Sequence, residues 1–350
     1  MDKDMFWPSA FCVEGEDVWF VDGRIPMLCR MNLLDGNIQI ICELPCQNSG
    51  GRAMKYSDIY AIDEKIFIIP AWDSNLHIYD FRLNKLCTLN TGEIDKLMFC
   101  RAYKKENKIY LMPYAYDYIV SIDCDSFEIK KVCDLRKIKE NSNLSYFNDC
   151  EFIDNDNILL TSPENNIILM YNFKTNNISV IQTKYNYTMI AKTKNTIWFS
   201  CLLKKIIVVY DIQKKRVKKE WWPKNLEILK IMAADNDYMI VNDTRKGYFA
   251  IYNENADLIN KYQSECVNTE CGENDYSGLT RVYGDSTYYI NRADAVLLKF
   301  SHGKCICNKN LYITDDNLKK IKKFELAQSD NCIINESNFV DLISFLEYVS

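Results

Sequence analysis

Seven times along the 350-residue chain a short apolar run stops on a polar residue or a proline, and a second run follows that closes on Tyr-Asp or a variant of it. The first runs begin at Val18, Ile66, Ile109, Ile158, Ile197, Tyr238 and Thr287, a period of about 39 to 49 residues. A period of that size marks one supersecondary unit that buries its apolar faces only by stacking on copies of itself. Runs this short, rich in β-branched and aromatic residues, suit strands rather than core helices.

Each unit divides into four strands. In the second unit they are Ser57 to Asp63, Ile66 to Ile69, Leu76 to Tyr79 and Lys85 to Leu89. The second strands read DVWFVD, KIFIIP, KIYLMP, NILLTS, TIWFSC, DYMIVN and STYYIN. They are continuous rather than alternating, as expected when neighbouring sheets cover both faces. The third strands close on Met31-Asn32, Tyr79-Asp80, Ile122-Asp123, Tyr171-Asn172, Tyr210-Asp211, Tyr252-Asn253 and, degenerately, Lys299-Phe300. Asp or Asn suits the turn that must follow, because its side chain bonds the local backbone and tolerates left-handed conformations. The pattern predicts an all-β chain: a seven-bladed β-propeller of four-stranded antiparallel blades over residues 1–313, with a short C-terminal helical tail over 314–350. Phe339, Leu342, Ile343, Leu346 and Val349 recur at helical spacing, predicting an amphipathic helix over 338–349 capped by Ser337 or Asn338.

The repeat resembles the seven-bladed propellers of the kelch and YVTN type over most of the chain. It lacks the Gly-His to Trp-Asp pairing of WD40 repeats and the kelch double glycine. The resemblance is to an architecture and implies no specific functional family. It implies that the first strand of each blade lines a central channel. One face is then built from the loops leading into those strands and the loops between second and third strands.

Sorted that way, the chain places Arg24, Arg52, Arg101, Arg245, Arg281 and Arg292, six of its ten arginines, on that face or on the channel strands behind it. Trp72, Tyr114 and Tyr116 share it, with Asp73, Asp117, Asn148, Asp149 and Asp294. Arginine binds carboxylate or phosphate in bidentate fashion and aromatic rings supply flat apolar contact. The expectation is therefore a non-catalytic binding module for a protein, peptide or anionic glycan. Its ligand-binding residues would be Arg24, Arg52, Trp72, Asp73, Arg101, Tyr114, Tyr116, Asp117, Asp149, Arg245, Arg281 and Arg292. The alternative is a lyase or hydrolase at the channel mouth, with Asp149 or Asp117 as acid and Arg101 or Arg281 stabilising charge.

Other chemistries find little support. The net charge of −5 disfavours nucleic acid as a partner. The lysines between Lys204 and Lys219 flank an apolar run and read as protection of an outer edge strand. No stretch is long and apolar enough to predict a membrane span, and the start of the chain does not read as a signal peptide. Fifteen scattered cysteines fit reduced thiols in a cytoplasmic protein, expected to be a monomer. With two histidines, His77 and His302, neither near the channel, no Ser-His-Asp arrangement is expected. Cys266, Cys271, Cys305 and Cys307 lack the usual zinc spacing. An oxygen-ligand cation of the kind propeller lactonases use would draw on Asp58, Asn148, Asp149 and Glu151, but alternation separates Asn148 from Asp149. No metal and no cofactor are expected.

Overall fold

Every repeat unit folds as one four-stranded antiparallel sheet with its strands in chain order, seven sheets in all, arranged as a seven-bladed propeller. The structure is a computed structural model; it describes residues 6, 8–23, 26–45, 56–71, 75–90, 99–224, 229–233, 237–243, 248–263, 279–291, 296–311, 313–314 and 316–321. The inner strands of blades 1 to 7 are Pro8–Glu14, Tyr56–Ile62, Phe99–Lys105, Asp149–Phe152, Met189–Lys192, Leu229–Ala233 and Leu279–Tyr283.

Burial follows position within the blade. Second strands such as Asp17–Asp22 and Thr196–Cys201 are buried almost throughout, because both faces meet a neighbouring sheet. Outer strands such as Asn177–Gln182 and Arg216–Trp221 are largely exposed, and the second of these carries the lysines that guard an edge. Seven hydrophobic clusters fill the seven seams between blades. At the seam of blades 5 and 6 Trp198 meets Trp221 edge-on at 5.3 Å, with Tyr252 against both rings.

The acidic and amide residues that end the third strands act on their own turns. Side-chain oxygens of Asn32, Asp80, Asp123, Asn172, Asp211 and Asn253 accept backbone N–H groups two to four residues ahead. The turns then pass through left-handed residues such as Asn84, Asn176 and Lys215.

A short helix absent from the sequence reading, α1 (Arg136–Ser142), links blades 3 and 4. Its Lys139 ammonium reaches Asp117 at 2.8 Å and the Ala115 carbonyl at 2.8 Å. A helical turn follows blade 7 at residues 316–321. The amphipathic segment 338–349 lies outside the described residues. No helix among the described residues is long and apolar enough to cross a membrane.

Among the described residues no strand is exchanged between the first and last blades, and the ring closes there by contacts. The Phe6 N–H donates to the Leu311 carbonyl at 3.0 Å, and the buried Asn317 amide donates to the Ile38 carbonyl at 3.1 Å. Phe6 packs with Phe11, Phe20, Tyr288, Leu297 and Ile321 in the cluster between blades 7 and 1. Phe6→Ala should therefore lower stability by about 3 kcal/mol or more. Urea denaturation measures it, and an unchanged midpoint would remove Phe6 from ring closure.

Candidate functional site

An inner strand pairs with its second strand along one edge and leaves the other edge toward the channel. Its backbone groups there need partners that no strand supplies. Side chains of the preceding blade supply them. In blade 3 the Ala102 N–H donates to Asp58 Oδ2 of blade 2 at 3.0 Å, and the Ala102 carbonyl accepts the Tyr60 hydroxyl. In blade 4 the Cys150 carbonyl accepts Tyr103 Oη at 2.6 Å and Arg101 Nη1 at 3.1 Å, both from blade 3. In blade 5 the Ile190 N–H donates to Asp149 Oδ2 of blade 4 at 3.2 Å. The second oxygen of each aspartate takes the next N–H of its own strand, Ile59 at 2.8 Å and Cys150 at 2.9 Å.

Strand register sorts these groups into two levels. Asp58, Arg101 and Asp149 lie opposite Ile69, Met112 and Thr161; two residues on, Tyr60, Tyr103, Glu151 and Arg281 lie opposite Phe67, Tyr110, Leu159 and Tyr288. Blade 1 offers only Ala10 and Cys12 at the same levels. Past these small side chains Arg281 reaches from blade 7 to the fully buried Asp58 of blade 2, its guanidinium 5.8 Å from the Phe11 ring centroid.

Within the cluster Arg101 pairs with Asp149 at 3.0 Å and stands 3.8 Å from Glu151 Oε2. Burial opposes the charge on Arg101, but Asp149, Tyr103, Cys150 and Glu151 together outweigh that effect and the guanidinium stays protonated. Burial also pushes the Tyr60 and Tyr103 hydroxyls well up, so both remain donors. Glu151 differs from the two aspartates. Its Oε1 takes only the Phe152 N–H at 3.0 Å. Burial, reinforced by the negative charge of Asp149, lifts its carboxyl from the usual range to about 7 against the pull of Arg101. Its side chain remains about one-fifth exposed (21%), so the group is both poised and reachable.

Of the residues the sequence points to, Arg101, Asp149 and Arg281 come together on these channel strands. Tyr116 is buried in the seam of blades 2 and 3, edge-on to Phe99 at 5.5 Å. Tyr114 stacks on Tyr146 at 5.0 Å, and Asp117 anchors α1 through Lys139. Arg24, Arg52, Trp72, Asp73, Arg245 and Arg292 lie outside the described residues. Asn148 stands one residue before its strand, so alternation does not govern it; its amide donates to the Thr188 carbonyl at 2.7 Å, on the same blade that Asp149 reaches. Among the described residues no group of three or more His, Cys, Asp or Glu is placed to hold a metal ion.

Sequence reasoning weighed Asp58 and Glu151 only as cation ligands and passed over Tyr60 and Tyr103. The signal was present as Asp-x-Tyr at 58–60, Arg-x-Tyr at 101–103 and Asp-x-Glu at 149–151, polar pairs two apart within otherwise apolar inner strands. The histidines stand apart from the cluster. His77 is buried with Nδ1 2.9 Å from Thr88 Oγ1, burial holding it down at about 4, and His302 occupies the last turn of blade 7.

No protein-family model matches the chain, and no curated protein does. Among solved structures it is similar to virginiamycin B lyase from Staphylococcus aureus, at TM-score 0.63 and 14% identity, covering 84% of this chain and 94% of that one. A catalytically inactive histidine-to-alanine variant of the same lyase, with quinupristin, gives TM-score 0.64 at 14% identity and the same coverage. Hsv2 of Kluyveromyces lactis is also similar, at TM-score 0.57 and 8% identity, covering 87% of this chain and 99% of that one.

At such identities the likeness is one of fold. It nevertheless corrects several expectations. The kelch-like resemblance is corrected in that the solved propellers similar in fold are virginiamycin B lyase and Hsv2. The expectation of a non-catalytic, carbohydrate- or protein-binding module is corrected by the same comparison, in which solved propellers that share this fold are themselves lyases. The protein, peptide or glycan partner gives way because the inactive lyase is seen with a small molecule. The physical reason is common to all of them: a blade repeat encodes stacking, and stacking carries no information about the ligand.

Asp149 bears on stability most directly. Asp149→Ala would remove the closest ion-pair partner of Arg101 and leave the Cys150 and Ile190 N–H groups without their aspartate acceptor. A loss of roughly 2–3 kcal/mol in chemical denaturation is expected. A loss below about 0.5 kcal/mol would show that the bridge between blades 4 and 5 contributes nothing.

Proposed function

We propose that the chain is an enzyme of the lyase class that acts on a small organic molecule at the channel, with Glu151 as acid–base group and Arg101 as electrostatic stabiliser. Asp58, Asp149, Tyr60 and Tyr103 have their polar atoms committed to backbone edges, whereas Glu151 has an oxygen with only a loose ionic contact. The observation that carries the proposal is the carboxyl of Glu151, held at about 7 beside a guanidinium that is one-third exposed (33%). A general acid–base group serves best when its pKa lies near the working pH. The fold likeness to lyases that include a quinupristin-bound variant supports the substrate size and the reaction class.

In such a reaction the Glu151 carboxylate takes a proton from the carbon next to a carbonyl. The C–H electron pair becomes the new C=C bond as the bond to the leaving group breaks. Negative charge developing on the carbonyl oxygen lies toward Arg101, and the proton held by Glu151 returns to the leaving group. The similar lyase is inactivated by losing a histidine, but both histidines of this chain lie away from the cluster. In this chain the carboxylate fills the role of base. Eleven free cysteines among the described residues suit a cytoplasmic setting.

With a substrate of this class, the rate should rise with pH through about 7 as Glu151 ionises. Glu151→Gln should reduce kcat by about 10²- to 10⁴-fold and abolish that limb. A panel of cyclic peptide lactones including quinupristin, followed by mass spectrometry, separates elimination, which leaves the mass unchanged, from hydrolysis, which adds water. Wild-type kcat in Glu151→Gln would refute the proposal. Stability provides a second readout. Because folding raises this carboxyl, its contribution is full below the ordinary Glu range and is lost as pH rises through about 7; Glu151→Gln should flatten that slope.

A further inference from the structure

The guanidinium beside Glu151 is held by a hydroxyl two residues along its own strand. Arg101 and Tyr103 stand two apart on the inner strand of blade 3, so both side chains leave the same face, and both reach blade 4. Arg101 Nη1 donates to Tyr103 Oη at 3.3 Å and to the Cys150 carbonyl at 3.1 Å. Tyr103 Oη donates to the same carbonyl at 2.6 Å, while Arg101 Nη2 meets Asp149 Oδ1 at 3.0 Å. Nη1 carries two hydrogens and makes these two bonds, so its donors are engaged before Glu151 is reached. Glu151 Oε2 stands 3.8 Å from that nitrogen, beyond hydrogen-bond range. Packing fixes the tyrosine in place: its ring lies edge-on to Phe152 at 4.8 Å, and burial keeps its hydroxyl protonated.

We propose that Tyr103 is a positioning residue for Glu151: its hydroxyl engages a donor of Arg101 that would otherwise close a hydrogen-bonded ion pair with the carboxylate, and so leaves Glu151 free to take up and return a proton. The positioning role rests on the acid–base role proposed for Glu151, whereas the geometry stands without it. A carboxylate closed against a guanidinium by hydrogen bonds is held ionised and makes a poor base. One kept slightly apart still draws charge stabilisation from its neighbour and still protonates. Among the described residues the other charged groups acting on Glu151 are Asp149 on its own strand, which opposes its ionisation, and Lys192 of blade 5, which favours it while donating to the Ile153 carbonyl at 2.8 Å. Tyr103→Phe leaves both in place. Tyr60 supplies the contrast, because its hydroxyl caps the Ala102 carbonyl from blade 2 and holds no guanidinium among the described residues.

The test follows the Glu151 carboxyl by carbon NMR in the intact protein, with glutamate labelled at its carboxyl carbon and the signal assigned by its loss in Glu151→Gln. In the wild type it should titrate at about 7. Tyr103→Phe keeps the ring and its contact with Phe152 but frees a donor of Nη1 for Oε2, so the midpoint should fall by about one pH unit, a tenfold gain in acidity. Tyr60→Phe should leave it unmoved; if both hydroxyls merely capped carbonyls, the two variants would behave alike. A midpoint in Tyr103→Phe that stays at the wild-type value or rises would overturn the proposal. So would a wild-type midpoint already in the ordinary glutamate range, since nothing would then be held off. Should Tyr103→Phe fail to fold, a crystal structure of the wild type well above the midpoint decides: Nη1 and Oε2 should remain more than about 3.5 Å apart, and a direct hydrogen bond between them would overturn the proposal. With a substrate that is turned over, the rising limb of the pH–rate profile should move with the NMR midpoint. Absence of turnover in the wild type would count against the acid–base role and leave the titration result standing.

Discussion

The structure depends on how it treats seven β-strand edges that face a channel instead of another strand. A closed barrel would pair them, but a propeller cannot, because its sheets radiate and meet only through side chains. Unpaired N–H and C=O groups in a low-dielectric interior cost more than the hydrogen bonds they forgo. In blades 2 to 5 side chains supply the partners. Asp58 and Asp149 each bridge one N–H of their own strand and one of the next blade, while Tyr60, Tyr103 and Arg101 cap carbonyls of the blade that follows. These are the charged groups that would otherwise look like a catalytic constellation.

That origin distinguishes members of the cluster from one another. A carboxylate whose two oxygens are both engaged by backbone N–H and guanidinium groups serves as a structural bridge. Asp58 and Asp149 are of this kind. Glu151 lies one register level further on, has a side chain longer by one methylene, and meets Arg101 only at 3.8 Å. It inherits the desolvation of the site without the full set of bonds that would hold it ionised, and a pKa near neutrality follows.

The fold was legible because blade stacking demands continuous apolar second strands, and those runs stand out against the polar outer strands in the sequence itself. Turn formers such as Asp80 and Asp211 were legible for the same local reason. The site was legible only in part. Arg101, Asp149 and Arg281 were found by placing arginines and acids on channel strands. Tyr116, assigned to the face by the same rule, is buried in a seam, since membership of a loop says nothing about which way an aromatic ring turns. The carboxyl of Glu151 acquires its character from burial and from Arg101 on another blade, a proximity across 50 residues of sequence that composition and spacing do not encode. Helix α1 was missed because residues 136–142 bury none of their side chains and so show no apolar periodicity.

Among the described residues, each blade keeps its own four strands at the ring closure, and that has an architectural consequence. An open array of seven repeats has six contacts between neighbours, and joining its ends creates a seventh without adding a residue. Every blade is made from one uninterrupted stretch of chain, so the ring has no privileged starting point. Phe6 and Leu311 meet where the polypeptide happens to begin and end the circle, as any other two neighbouring blades meet where it runs on. The blade, rather than the chain, is the unit that such a molecule can copy, permute or replace, and chemistry confined to the side chains of two adjacent inner strands would move with them.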